Sequence, residues 1–262
     1  MRSIAEAAGL VLKTAEPRDK IKAARHVARE WRQGRLAHRF DVAMPNAPAQ
    51  PDRPELLPPN RMPRRGKGGS ERGRLALLHA LAHIEYVAID LAFDMAARFG
   101  AEFPRAFVDD WISVGADEAM HFAILDRRLR ALGSFYGALP AHDGLWEAAS
   151  ATADDVLARL AVVPMALEAR GLDVTPATVE RFQAAGDMVS ARILQRIYAD
   201  EIRHVRFGTK WFQATCEEHG YAPAKHWQML ISDRFRGVVK GPFNDSARDS
   251  AGLTRDYYDA IA

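Results

Sequence analysis

The sequence predicts an all-α protein, and three observations point to that class. Long segments repeat apolar residues every three or four positions, as amphipathic helices do, and no segment alternates convincingly as a strand would. Two of these segments share the pattern D-E-x-x-H, at residues 117–121 and 200–204. With 262 residues, the chain can bury a sizeable core. The expected architecture is a helical bundle with one copy of the pattern in each half.

Two short amphipathic helices are predicted over residues 3–13 and 18–34, within an N-terminal segment (1–42). Residues 43–70 are predicted to form a proline- and glycine-rich arm, which holds seven of the fourteen prolines. A basic run overlaps the arm, and it is either a solvated linker or a surface that grips phosphates. The run consists of Arg61, Arg64, Arg65, Lys67, Arg72 and Arg74.

The main bundle is predicted to occupy residues 71–235, with a long crossover at 133–151 between two pairs of helices. The four long helices are expected at about 71–98, 105–132, 152–170 and 187–218. A last helix is expected at 223–234. The tail, 236–262, is expected to pack on the bundle with further helical additions.

A break is predicted after the third long helix. Gly171 is expected to end that helix, because glycine is common just past a helix C-terminus. Thr175 and Pro176 are expected to start a short helix over about 176–185, because threonine caps helices and proline suits the first helical position.

Each D-E-x-x-H pattern places one carboxylate and one imidazole on the same face of a helix. Residues three apart lie about one turn from each other, so Glu118 converges with His121, and Glu201 with His204. Ferritin-like di-iron and di-manganese bundles use such a pair on two of their helices. A lone E-x-x-H is weak evidence, whereas two copies in apolar helices indicate a shared site.

Such a site requires two further carboxylates from two other helices. Glu85 and Glu168 are the candidates, because each occupies the middle of an otherwise apolar stripe. Glu118 follows Glu85 by 33 residues, and Glu201 follows Glu168 by the same number. In the first pair the two arms of the hairpin are about equally long, so Glu85 and Glu118 are expected at the same height.

Four buried carboxylates need a counter-charge, because ionised groups are rarely buried without partners and like charges repel. Two divalent metal ions supply four positive charges while both histidines stay neutral. Carboxylate and imidazole ligands without a thiolate suit iron or manganese. The predicted cofactor is therefore two Fe ions, with Mn₂ or Mn/Fe as alternatives. No flavin or nucleotide fingerprint such as G-x-G-x-x-G is found.

Composition excludes several other classes of protein. Cys216 is the only cysteine, which excludes a disulfide framework and a cysteine zinc site and favours a cytoplasmic location. A net charge of +2 does not by itself imply nucleic-acid binding. No signal peptide and no apolar run long enough to span a membrane are recognised.

The residues also resemble a known family. The chain is similar, over about residues 50–245, to a bacterial family of ferritin-like proteins described only as a domain of unknown function. More distant relatives include di-iron tRNA-modifying hydroxylases, soluble di-iron monooxygenases and acyl desaturases. The motifs that carry the resemblance are HALAHIE (79–85), DW…DEAMHF (110–122), LPAHDGLW (139–146), EARGLDVTP (168–176), DEIRHV (200–205) and KGPFN (240–244).

The resemblance implies a carboxylate-bridged di-iron fold with a defined ligand set. The implied ligands are Glu85, Glu118, His121, Glu168, Glu201 and His204. By analogy with the monooxygenases, the aspartate before each E-x-x-H orients the histidine of the opposite helix. Asp117 would then orient His204, and Asp200 would orient His121, which fixes the tautomer of each ring and raises its basicity.

Other polar residues near these motifs have both functional and structural interpretations. Tyr198 lies one turn before Glu201 and is either a redox or hydrogen-bonding group or a packed core tyrosine. Arg170 and Arg203 flank ligand positions, and His142 lies in the crossover. His79 and His83 share one face of a helix and are expected to contact a neighbouring segment, the proline-rich arm being one candidate, rather than a metal.

Three functions agree with this pattern. The favoured one is an O₂-dependent di-iron hydroxylase or oxidase, acting on an unknown small molecule or RNA nucleoside and reduced by an external electron donor. The second is a ferroxidase or iron-handling protein. The third is a metal-stabilised module that binds RNA or protein. A homo-oligomer is compatible with each, and no membrane association is expected.

Overall fold

A computed structural model describes residues 1–63 and 70–262, and every regular element within them is helical. The predicted all-α class is therefore confirmed; two isolated bridges are the only strand-like pairings in the described part of the chain. Arg64, Arg65 and Lys67 of the predicted basic run lie outside the described residues. The chain forms two compact units, residues 1–146 and 147–262.

Unit 1 is built around two long helices that pack along each other. The helices that begin in this unit are α1 (Ile4–Leu12), α2 (Pro17–Arg32), α3 (Glu71–Arg98), α4 (Arg105–Ala131) and the short α5 (Gly144–Ser150). α1 packs on α3, and α2 packs on α4. Local sequence fixes the start of α1, because Ser3 and Glu6 form a reciprocal capping box.

Helix α3 is a core helix despite a composition that suits a membrane span. By length and apolar content it is the one helix among the described residues that could cross a bilayer, which the sequence analysis did not recognise. However, 67% of its most apolar window is buried inside the protein. Gly115 of α4 allows the close approach of the two helices, because a Cβ atom there would lie 2.6 Å from the ring of Phe93.

A buried ion pair joins α2 to α3. The ammonium group of Lys20 donates hydrogen bonds to both carboxylate oxygens of Asp90, and the two side chains are 0% and 1% exposed. Burial lowers the pKa of Lys20 and raises the pKa of Asp90 to about 7, although each partner acts in the opposite direction. Desolvation therefore dominates both groups, and the pair stabilises the fold only while both partners are present.

Unit 2 contains the remaining helices. They are α6 (Val156–Val162), α7 (Ala169–Ala184), α8 (Met188–Glu218), α9 (Pro223–Arg234), α10 (Asp245–Ser250) and α11 (Arg255–Tyr258). A π-helical segment, Val163–Glu168, connects α6 directly to α7. α6 and α7 pack on α8, and α9 packs on α6 and α8.

The predicted break near Gly171 is wrong, because α7 continues through both Gly171 and Pro176. Proline has no N–H, so Pro176 leaves the carbonyl of Leu172 without its usual helical donor. The side-chain amide of Asn244 donates to that carbonyl at 3.1 Å and replaces the missing bond. A residue 72 positions away thus keeps the helix continuous.

The π-helical segment was not predicted, and it lies where the sequence suggested an ordinary helix over 152–170. Pro164 is its second residue, and Glu168 is its last. Gly208 of α8 provides the space for Pro164, since a Cβ atom at Gly208 would lie 2.5 Å from the proline Cβ. One-turn π-helical segments are rare and often occur at functional sites.

Candidate metal centre

In unit 1 the hairpin of α3 and α4 brings two carboxylates to one imidazole. The Nδ1 atom of His121 lies 3.1 Å from Glu85 Oε2 and 3.3 Å from Glu118 Oε2. The three residues are 0%, 5% and 2% exposed, respectively. One ligand atom from each lies within 4.8 Å of the other two. Glu85 and Glu118 therefore lie at the same height on their helices, as the equal arms of the hairpin predicted.

The electrostatics of this group favour a bound cation. Burial, and secondly the charge of Glu118, raise the pKa of Glu85 well above its usual range, although His121 acts to lower it. One proton or one positive ion is required to relieve the repulsion between the two carboxylates. A divalent metal ion supplies that charge and uses all three donor atoms, so the residues present fit a metal site.

Packing around the group keeps it dry. Each glutamate is surrounded along its own helix by buried apolar side chains, since positions three and four residues away share its face. Gly115 lies one turn before Glu118 and allows α4 to approach α3 closely. The neighbours that exclude water include Ala82, Ile89, Val114, Phe122 and Leu125.

In unit 2 the second E-x-x-H pair has a similar geometry. His204 Nδ1 lies 3.5 Å from Glu201 Oε1, and the imidazole is fully buried. In both copies the nitrogen that faces the glutamate of its own helix is Nδ1. Glu168 is half-buried at the junction of the π-helical segment and α7.

The two aspartates that precede the motif glutamates differ in their environments. Asp200 accepts a hydrogen bond from Arg196 at 2.8 Å, and Arg203 lies 3.6 Å away on the same helix. Asp117 is half-buried on α4. Their roles in orienting His121 and His204 remain predictions.

Two other candidates contact the C-terminal tail of unit 2. The Tyr198 hydroxyl accepts a hydrogen bond from the Asn244 side chain at 2.9 Å. Arg170 donates to Asp173 at 3.3 Å and to the carbonyls of residues 240 and 242. Arg248 also forms two hydrogen bonds with Asp173, whose side chain is fully buried. These contacts give Arg170 a structural role in holding the tail.

Sequence reasoning missed Asp173, Asn244 and Arg248 as interacting residues. Asn244 belongs to the KGPFN motif and Asp173 to EARGLDVTP, so both lie in segments that the sequence analysis quoted. What the motifs lack is any local indication that the two segments meet, because the residues are 71 positions apart.

The histidines outside the E-x-x-H motifs contact the segment that follows α4. His79 accepts a hydrogen bond from the backbone N–H of Gly137 at 2.9 Å, and His83 Nδ1 lies 2.9 Å from the Tyr136 hydroxyl. The expected packing role of both rings is therefore observed. His142 lines a cavity together with His79.

The fold and the site together define an all-helical protein with buried carboxylates and imidazoles that could hold a metal ion. The chain belongs to the family described as Protein of unknown function (DUF455), whose model matches residues 13–259. A protein of Haemophilus influenzae described as uncharacterized is 40% identical over 226 residues, which cover 84% of this chain and 78% of that protein. No solved structure matches the chain.

Proposed function

We propose that this chain is a ferritin-like, carboxylate-bridged di-iron oxidoreductase that uses O₂. The observation that carries the proposal is the buried group of Glu85, Glu118 and His121, in which three donor atoms converge without a positive charge of their own. The second E-x-x-H pair, Glu201 and His204, has the same arrangement within its helix. Two equivalent pairs agree with a dinuclear site.

The proposed ligand set contains residues of unit 1 and residues of unit 2. We infer that Glu85, Glu118 and His121 of the first unit and Glu201 of the second are metal ligands. We infer that Glu168 and His204 complete the set, so that each metal receives carboxylates and one imidazole. Oxygen and nitrogen donors of this kind suit iron and manganese, and Fe₂ is proposed over Mn₂ or Mn/Fe because the family resemblance points to di-iron proteins.

When bound, the metal pair would supply electrons that reduce O₂, so that the activated oxygen could oxidise a substrate. The chain's own residues prepare the site for this chemistry. Both histidines direct Nδ1 at a glutamate, so each ring can coordinate through Nδ1 while Nε2 carries its proton. In the proposal, Asp117 and Asp200 accept that proton in hydrogen bonds and hold the rings in place.

Other residues around the proposed site exclude water. The electrons are proposed to come from a partner protein. Apolar neighbours such as Phe122 and Ile89 bury Glu85 and Glu118, which strengthens every electrostatic interaction within the site. Because no flavin or nucleotide fingerprint is present in the sequence, we propose that a separate reductase supplies electrons.

The proposal is tested by comparing the metal content of the wild-type protein with that of a variant that lacks one proposed metal ligand. The full chain is expressed with iron and manganese both available, and metals are counted by plasma mass spectrometry. We expect about two Fe per chain, and a loss of iron in Glu201→Ala, because the metal site then lacks one of its proposed carboxylate ligands. Glu218→Ala, an exposed residue on the same helix, is the control and should retain both ions.

The reduced, iron-loaded protein should then consume O₂ and form a transient absorbing species. Zinc or no metal in a folded wild-type protein would contradict the metal site. Two irons that do not react with O₂, or many irons mineralised per chain, would contradict the oxidoreductase and leave the metal site intact.

A further inference from the structure

A cavity of about 280 Å³ lies in unit 1 beside the first half of α3. α3 forms one wall, the proline-rich arm a second, and the segment after α4 a third. None of the six predicted metal ligands lines it. His79 lies six residues before Glu85 on α3, which corresponds to about 9 Å along the helix. The cavity is therefore separate from the group of Glu85, Glu118 and His121.

His79 lines this cavity, and its hydrogen bonds define the tautomer of its ring. Backbone N–H groups can only donate, and those of Gly137 and Leu139 lie 2.9 and 3.4 Å from His79 Nε2. Nε2 is therefore the acceptor, and the proton of the neutral ring is on Nδ1. Burial lowers the pKa of His79 to about 4, so the ring is neutral near pH 7. Because Nε2 is occupied by these two N–H groups, Nδ1–H is the remaining donor of the ring, and His79 is 1% exposed.

Two further nitrogen donors line the cavity. His142 Nδ1 accepts a hydrogen bond from the N–H of Gly144 at 3.3 Å, which leaves Nε2–H as its donor. Arg72 is exposed, and its guanidinium has no ion-pair partner within the described ranges. Among the described lining residues there is no carboxylate. The polar side of the cavity thus offers donors and a positive charge.

The rest of the lining is apolar. Met62, Leu75, Ala76, Leu139 and Pro140 form most of it. Small-molecule sites are typically concave and mainly apolar, with a few polar groups that fix the orientation of the ligand. A ligand that is complementary to both the polar and the apolar side of this cavity has an anionic group and a short hydrocarbon chain.

We propose that this cavity binds a small aliphatic carboxylic acid as its anion. The carboxylate accepts hydrogen bonds from His79 and His142 and pairs with Arg72, while the hydrocarbon chain lies against Leu75 and Ala76. A planar guanidinium and two imidazole N–H groups match the two oxygens of a carboxylate. This inference does not depend on the metal-site proposal, because no metal ligand takes part.

Calorimetric titration of octanoate into the metal-free full chain tests the inference directly. Removing metals first prevents the carboxylate from binding at a metal ion. We expect saturable binding of one octanoate per chain. 1-Octanol should bind roughly ten-fold more weakly because it lacks the charge-assisted hydrogen bonds, and octylamine should not bind. No saturation with octanoate, or equal affinity for 1-octanol, would overturn the proposal.

Substitutions in and near the cavity lining test whether octanoate binds in this cavity. Ala76→Trp fills the cavity and should abolish octanoate binding, and Arg72→Gln should weaken it by about five-fold or more. Arg74→Gln removes the same charge from the same helix but lies outside the lining, so it should change the affinity by less than about two-fold. Equal weakening by Arg72→Gln and Arg74→Gln, or unchanged binding in a folded Ala76→Trp protein, would refute this location.

Discussion

At the residue scale, the buried group of Glu85, Glu118 and His121 lowers the stability of the metal-free protein but provides donor atoms for a metal ion. Burial, and secondly repulsion by the Glu118 carboxylate, raise the pKa of Glu85 well above its usual range. An ordinary core would place apolar side chains at these positions, because carboxylates are rarely fully buried unless paired. A proton or a cation relieves this repulsion, and the proposed metal ion would supply the positive charge in the native state.

Glu118→Gln should therefore have opposite effects on the metal-free and metal-loaded protein. The substitution keeps the shape but removes one of the two charges, so the free energy of unfolding of the metal-free protein should increase by about 1 kcal/mol or more. Iron content should fall. Urea unfolding and metal analysis measure the two effects, with exposed Glu218→Gln as the control. A metal-free variant less stable than wild type would contradict the repulsion.

The convergence of Glu85, Glu118 and His121 was predictable from sequence because helical periodicity and hairpin arm length determine it. The pairing of Lys20 with Asp90 was not predictable in this way, because the residues are 70 positions apart. Lys20 occurs in a helix with many exposed charges, and no local pattern distinguishes it from them. Only the packing of α2 within unit 1 distinguishes Lys20 from the other charged residues of the helix.

At the element scale, the ion pair of Lys20 and Asp90 fastens α2 to α3. Lys20→Met or Asp90→Leu alone should lower the free energy of unfolding by about 3–5 kcal/mol, because each leaves a buried, unpaired charge. The double variant should recover most of that loss, since both charges are then absent. Chemical denaturation of the four proteins gives the coupling energy. Additive single effects would show that the two side chains do not depend on each other.

Two glycines of unit 2 offer a matched pair of substitutions. Gly208→Ala should destabilise the protein by about 1–3 kcal/mol, because its new methyl group overlaps Pro164 in the π-helical segment. Gly171→Ala should stabilise it by about 0.5–1 kcal/mol, because the position is helical and a Cβ atom there meets nothing within 4 Å. Thermal unfolding of both variants measures the difference. Equal effects would contradict the close contact at Gly208.

Helix positions were predicted more accurately than helix interruptions. α3 and α9 have the predicted bounds, and each begins at a local signal, the capping side chain of Ser70 and the proline Pro223. The continuity of α7 was missed, because the side chain of Asn244, from a distant segment, supplies the hydrogen bond that Pro176 cannot form. Propensity is a weak prior where a tertiary contact supplies the missing hydrogen bond.

At the scale of the whole molecule, a metal ion that binds only the folded protein would raise its stability. Saturating iron(II) under anaerobic conditions should raise the free energy of unfolding, by about 2.7 kcal/mol at a hundred times the dissociation constant. Scanning calorimetry with and without iron measures the shift. His204→Ala should reduce the shift, because one proposed ligand is lost, whereas His219→Ala, just past the end of the same helix, should not. Identical melting of the metal-free and iron-treated proteins would contradict iron binding by the folded protein.

The contacts of Asp173 with Arg248 and Asn244 bear on the timing of synthesis. Asp173 emerges from the ribosome 75 residues before Arg248. Its carboxylate therefore cannot bind Arg248 until that later segment has been synthesised. At about 5–20 residues per second, that interval lasts about 4–15 s. The carbonyl of Leu172 likewise cannot accept its hydrogen bond from the side-chain amide of Asn244 until Asn244 has been synthesised. Translation of the carboxyl-terminal segment therefore sets the earliest moment at which unit 2 can reach its native state.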